Sequence, residues 1–272
     1  MRRRDIVNAL IAKGYKAEEK DNVKNGLIVE GIVVKNDDPI APIIYTDRLL
    51  EEAERKGKSL ADVVTEVIRI YESQNYKDLD LKKFLNKDFV SEHIYLGLQK
   101  TSTEELIKEN CFLDGLEVYL YIREDRKNEG SYTVKVTAEL LQQIGMAAQE
   151  AWERARINTY AETEVKSLST VIAEICGMPI DNFEEDPVYM VTNQAGMRGA
   201  SAVLNRKVLE DIGQKHGTNK VVILPSSIHE VLVVPYESMM DMDAMSAMVT
   251  EVNATTVAPE EQLIDRAYVV DL

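Results

Sequence analysis

Two short apolar runs, residues 221–224 (Val-Val-Ile-Leu) and 228–234, flank Pro225-Ser226-Ser227, and this arrangement constrains the fold more than any other feature. Runs rich in β-branched residues and bounded by turn residues form strands, and so brief a connection returns the chain antiparallel. The surrounding pattern extends the unit. Residues 188–192 and 199–204 read as strands joined by a glycine-containing turn at 193–198. Asn205 caps a helix that runs to His216 before Gly217, a second helix runs from Ser238 to Val252, and residues 268–270 form a last short strand. The order is ββαββα followed by a tail strand.

Upstream, a helix over residues 3–13 precedes a polar stretch and Asn25-Gly26, a turn signal ahead of a β-branched strand at 27–34. Residues 40–45 are extended but interrupted by Pro42. Thr46 or Asp47 caps a helix to Lys56. Ser59 and Asp62 form a capping box for the next helix, which buries Leu60, Val63, Val64, Val67, Ile68 and Tyr71 on one face. A further element lies around 79–90, and Ser102 to Glu105 suggests another capped helix. Residues 116–122 and 131–136 form a hairpin about a charged loop. A long helix from Thr137 buries Leu141, Ile144, Ala148, Ala151, Trp152 and Ala155, and another over 162–176 turns Val165, Leu168, Val171, Ile172 and Ile175 inward. The acidic segment 181–187, closed by Pro187, reads as a linker. The expected fold class is α+β: an N-terminal α/β region, 1–180, followed by a C-terminal ββαββα antiparallel-sheet unit, 187–272, the two able to pack as one continuous domain.

Charge narrows the function. Residues 1–100 carry 18 basic and 18 acidic side chains, whereas 101–272 carry 14 basic against 29 acidic, so the whole net charge of -15 lies in the second stretch. Such a field repels phosphate backbones and anionic lipid, so neither nucleic acid nor membrane is an expected partner. No apolar run approaches the roughly 20 residues that span a bilayer. Cys111 and Cys176 stand far apart in apolar sequence, which argues against a disulfide framework and for a cytoplasmic protein.

Several segments together resemble a known grouping. These are Asn25-Gly26, Gly31, Pro42 to Tyr45 and Gly57 to Leu60 in the first part; in the last, they are Thr192-Asn193, Gly199-Ala200, Leu224 to Glu230 (the LPSSIHE motif), Val252 to Thr255 and Val257 to Glu261. On these residues the chain resembles an uncharacterised bacterial family, a domain of unknown function common in gut Clostridia and their mobile elements. The resemblance implies a shared fold and a cytoplasmic setting. It carries over no activity, substrate or catalytic residue.

Catalytic residue types come together only at Ser226, Ser227, His229 and Glu230. On a strand Ser227 and His229 share a face, so a histidine could activate a serine while an acid orients the ring. Neighbours at i, i+2 rarely reach that geometry, however, and no Gly-x-Ser-x-Gly elbow exists. The structural reading makes Pro225 and the serines a turn in which a hydroxyl satisfies a backbone amide. The three histidines, His93, His216 and His229, have no partner at metal-ligand spacing, and no cofactor fingerprint occurs, so neither metal nor cofactor is expected. Asn193 and Arg198 are candidate binding residues at a turn, with Arg198 facing solvent. Five of the ten methionines fall within 239–248; Met242 and Met245 lie on a helical seam that serves either as core or as an adaptable partner surface. Three functions are consistent with these features: a non-enzymatic interaction or regulatory protein whose partner is another protein or a second copy, a hydrolase-like enzyme using Ser226 or Ser227 with His229, and an acidic nucleic-acid mimic.

Overall fold

A computed structural model describes residues 1–35, 43–73, 80–126, 130–179 and 186–272. The start of the extended segment at 40–42, the beginning of the element near 79, the tip of the charged loop and most of the 181–187 linker lie outside the described residues. The protein is α+β, with helices packed on antiparallel sheets. It divides into two compact units, 1–81 and 82–272.

In the first unit, α1 (Arg3–Ala12) leads into the hairpin β1 (Lys16–Lys24) and β2 (Leu27–Lys35), and β3 (Ile43–Tyr45) adds to the other edge of β2. Asn25 and Gly26 have φ of 50° and 76°, the left-handed pair that a two-residue hairpin turn demands. The polar stretch ahead of the turn is itself the strand β1: only Ala17 and Val23 are apolar, and its order comes from nine paired positions along β2. Helices α2 (Asp47–Lys56) and α3 (Leu60–Ser73) follow. Ile6, Val7 and Leu10 of α1, Ala53 of α2 and Val63, Val64 and Val67 of α3 close on Ile32, Val34 and Ile44. The expected capping box is present, since the Asp62 carboxylate accepts the Ser59 amide at 2.9 Å and the Ser59 hydroxyl accepts the Asp62 amide at 3.3 Å.

The second unit opens with a 3₁₀ turn and α4 (Lys87–His93), then β4 (Ile94–Lys100), β5 (Lys108–Asn110), β6 (Leu116–Arg126) and β7 (Gly130–Lys135). β6 is central: β4 pairs along one edge, and β5 and β7 pair along the other. Alternation gives this sheet two unlike faces. Ile94, Leu96 and Leu98 oppose Ile122, Leu120 and Val118 on one; Tyr95, Gly97 and Gln99 oppose Tyr121, Tyr119 and Glu117 on the other. All of these positions on β4 and β6 are buried. The outer edge of β4 meets side chains instead of a further strand. The Asn158 amide donates to the Ile94 carbonyl at 2.8 Å, Thr159 accepts the Leu96 amide at 2.9 Å, and Ser201 donates to the Leu96 carbonyl.

A second sheet runs in the order β12 (Tyr268–Asp271), β10 (Lys220–Leu224), β11 (Val231–Pro235), β9 (Tyr189–Asn193), β8 (Thr163–Ser167). The helices are α5 (Ala138–Ile144), α6 (Ala148–Ala161), α7 (Leu168–Cys176), α8 (Arg206–Lys215) and α9 (Met242–Thr256). Four expectations change here. The long helix from Thr137 breaks into α5 and α6. The helix expected over 162–176 is strand for its first part, because 163–167 pair with β9; α7 then starts from its Ser167 cap. Its buried face carries Ser169 and Ala173, while Ile172 is exposed and Ile175 is 80% exposed. Ser102 to Glu105 forms no helix, since the Ser102 hydroxyl and Glu104 carboxylate bond to side chains of the first sheet instead. Finally, the second strand of the expected ββαββα order, 199–204, is a buried 3₁₀ helix, Gly199–Leu204. A Cβ on Gly199 would lie 2.4 Å from Thr192 Oγ1, 2.5 Å from the Asn193 nitrogen and 2.7 Å from the His229 carbonyl oxygen, so these three backbone segments can meet only at a glycine.

Candidate functional site

The Pro225 to Glu230 segment connects β10 to β11 and is itself held by the chain beyond α9. Ser227 and Gln262 form an antiparallel bridge, the Ile228 amide donates to the Glu261 carbonyl at 2.8 Å, and the Leu263 amide donates to the Ser226 carbonyl at 3.0 Å. Ser227 is 3% exposed, and its hydroxyl accepts the His229 amide at 2.8 Å. The His229 ring turns elsewhere. Nδ1 accepts the Arg198 amide at 3.3 Å, and Nε2 faces the Glu261 carboxylate at 3.6 Å. With Nδ1 accepting, the neutral ring carries its proton on Nε2. No hydrogen bond joins the ring to either serine hydroxyl among the described residues. Glu230 is half-buried and makes no bond to the ring.

Asn193 ends β9 and folds the following loop onto itself: its amide donates to the Met197 carbonyl at 2.9 Å, and its side-chain oxygen accepts the Met197 amide at 3.2 Å. Arg198 then adopts a left-handed conformation, φ 52°. A hairpin tip would have pointed it at solvent; here it turns inward. Its Nη1 donates to the Tyr119 hydroxyl at 2.5 Å, and the guanidinium stands 5.8 Å from the Tyr121 ring centre. Arg198 therefore joins the Ser-His segment, through its backbone, to the polar face of the first sheet, through its side chain.

That face is a buried aromatic and ionic network. Tyr95, Tyr119 and Tyr121 pack together, with Tyr121 ring-to-ring distances of 6.0 Å to Tyr95 and 6.1 Å to Tyr119. Gly97 provides the room, since the Tyr119 ring crosses directly over it. Burial pushes the hydroxyl pKa of all three tyrosines upward, so they are neutral hydrogen-bonding groups. At one end Glu117 accepts from Gln99 at 2.8 Å, Ser102 at 2.8 Å and Lys108, while Glu104 pairs with Lys135 at 2.6 Å. Burial alone would raise the Glu117 carboxyl, but those donors outweigh it and hold the group below the ordinary range. At the other end Glu162 accepts from Tyr95 at 2.7 Å and from Arg123 at 2.6 Å. Burial would lower the Arg123 value, and the bond to Glu162 more than offsets it, so the guanidinium stays charged.

Residues 3–271 match a family of unknown function, DUF5688. The chain belongs to this family. No curated protein and no solved structure matches it significantly. The family description names no chemistry, so the roles of DUF5688 residues rest on this chain's own geometry.

Other expected candidates have structural surroundings. Met242 and Met245 pack against the core formed by Val222, Leu224, Val234 and Val249, whereas Met239, Met248 and Val252 are exposed. The seam thus divides, with its expected binding members turned toward the core. His216 bonds to the Tyr189 hydroxyl at 2.7 Å, and His93 stacks on Phe89. Cys111 is half-buried; Cys176 is exposed, contrary to its apolar sequence context, and both are free thiols. Among the described residues no group of histidine, cysteine and acid side chains could hold a metal ion, and no helix is long and apolar enough to cross a membrane. The tyrosine face does not stand out in the sequence. Its signal was the alternation Glu117, Tyr119, Tyr121, Arg123, which becomes legible only when β4 supplies the opposing Tyr95, Gly97 and Gln99.

Proposed function

We propose that this protein acts by binding rather than by bond-making chemistry, as a cytoplasmic interaction or regulatory protein of a bacterium or its mobile element. One observation carries the reading: the Ser227 hydroxyl accepts the His229 amide while both ring nitrogens of His229 face Arg198 and Glu261. A serine nucleophile needs the ring as its proton acceptor, and here the ring fastens the 193–199 loop instead. Arg198 and Asn193 support binding at this junction, since Arg198 is half-exposed and joins both sheets. The acidic surplus of 101–272 favours a protein partner or a second copy over nucleic acid. The nucleic-acid mimic gains less support, because Glu104, Glu117, Glu109 and Glu162 are taken up in ion pairs with neighbouring bases.

A serine-directed fluorophosphonate, followed by peptide mass spectrometry, tests the reading. Ser226 and Ser227 are expected to remain unmodified. Stoichiometric labelling of either one that disappears in His229→Ala would establish a nucleophile and overturn it.

A further inference from the structure

The tyrosine face contains two guanidinium groups with unused donors. Arg123 follows Tyr121 by two positions on β6 and so lies on the same face of the sheet. Its Cζ stands 4.3 Å from the Tyr95 ring centre, Nε donates to Asp125 at 2.9 Å and Nη2 donates to Glu162 at 2.6 Å. The residue is 3% exposed, yet Nη1 is buried and has no hydrogen-bond partner among the described residues. Buried guanidinium donors are ordinarily satisfied, because removing one from water without a partner is costly. Arg198 approaches the same tyrosines from the 193–199 loop. Its guanidinium has the neutral Tyr119 hydroxyl as hydrogen-bond partner, and no carboxylate lies within ion-pair distance among the described residues. Every acid of this network already has a basic or hydroxyl partner, whereas Arg123 Nη1 and the Arg198 guanidinium keep donors to spare.

We infer that Arg123 and Arg198 form a binding site for a single oxyanion group, a carboxylate or a phosphate, seated on the shelf of Tyr95, Tyr119 and Tyr121. A guanidinium offers paired, coplanar N–H donors that match two oxygens of such a group, and aromatic walls strengthen the interaction by excluding water. The anion would supply the acceptor that Arg123 Nη1 lacks and the negatively charged partner that Arg198 lacks among the described residues. Half-exposed Arg198 forms the entry side, and buried Arg123 the floor. An oxyanion site presupposes a binding protein, yet the two can fail separately. Fluorophosphonate labelling of a serine would remove the non-catalytic reading and leave oxyanion affinity standing; absent affinity would remove only the oxyanion.

Isothermal titration of the full chain with inorganic phosphate, and separately with acetate, at constant ionic strength in chloride tests this directly. Saturable binding of either anion is expected, and which one binds identifies the source of the oxyanion. Arg198→Gln should weaken that binding at least tenfold, and Arg198→Lys, which keeps the charge but loses the fork, should weaken it less. Arg198→Lys decides the matter if the glutamine variant does not fold. No saturable heat with either anion, or affinity unchanged in the folded Arg198 variants, would overturn the assignment.

Discussion

Gly97→Ala should damage the second unit far more than a single methyl ordinarily would. A Cβ at this position would lie 2.5 Å from Tyr119 Cζ, 2.6 Å from Cε1 and 2.8 Å from the hydroxyl oxygen, all well inside van der Waals contact. Tyr119 is 1% exposed and its hydroxyl holds Arg198, so the ring cannot swing aside without losing that bond. Overpacking a well-filled site costs about 1–3 kcal/mol. Loss of a hydrogen bond from a charged donor adds about 1.5–3 kcal/mol, and replacing glycine in a strand returns roughly 0.5–1 kcal/mol. A net loss of about 3 kcal/mol follows, which for a unit of this size lowers Tm by roughly 6–12 °C. Trp152, the single tryptophan, lies on α6 of the same unit, so its fluorescence during urea unfolding reports the change. A double-mutant cycle with Tyr119→Ala isolates the cause: in that background Gly97→Ala should be nearly neutral, giving a coupling of about 3 kcal/mol. A loss below about 0.5 kcal/mol, or the same loss in both backgrounds, would mean that the Tyr119 ring does not set the cost of a side chain at Gly97.

Two other perturbations address the same unit. Thr159→Val removes the acceptor of the buried Leu96 amide on the strandless edge of β4 and should cost about 1–3 kcal/mol in urea unfolding, with Thr159→Ser restoring most of it. The Glu117 carboxyl, held below its ordinary value of 4.5, contributes stability that is complete above that pH and is lost as pH falls through the lowered value. Unfolding measured from neutral pH downward should therefore show a loss below pH 4.5 that Glu117→Gln reduces; an identical acid limb in the variant would count against it.

How much of this the sequence revealed depends on where each residue's partner comes from. The Asn25-Gly26 turn, the Ser59–Asp62 cap and the buried stripe on α3 are local, and their chemistry reads directly from spacing. β1 and β4 do not read in this way. Lys16 to Lys24 is almost wholly polar and becomes a strand because β2 pairs along its whole length. β4 is set by a partner, β6, that lies about twenty residues downstream. Gly199 to Leu204 has strand-like composition, yet glycine, alanine and serine let it approach the backbone of Thr192, Asn193 and His229 closely enough to form a buried 3₁₀ helix. The Ser-His segment was legible as a cluster, but the direction of the ring depends on Arg198 and Glu261, both distant in sequence. For the same reason Arg198 reads as a solvent-facing turn residue, although its side chain is needed on Tyr119 of the other sheet.

The proposed binding role rests on the claim that the Ser227 hydroxyl is occupied by the backbone and does not serve as a nucleophile. Hydrogen exchange at the His229 amide measures that occupancy directly, since the amide donates to a buried oxygen. Slow exchange in the wild-type chain, accelerated by Ser227→Ala and unaffected by Ser226→Ala, is the expected result. Fast exchange in the wild type, or no response to Ser227→Ala, would mean that the hydroxyl is free and would contradict the claim.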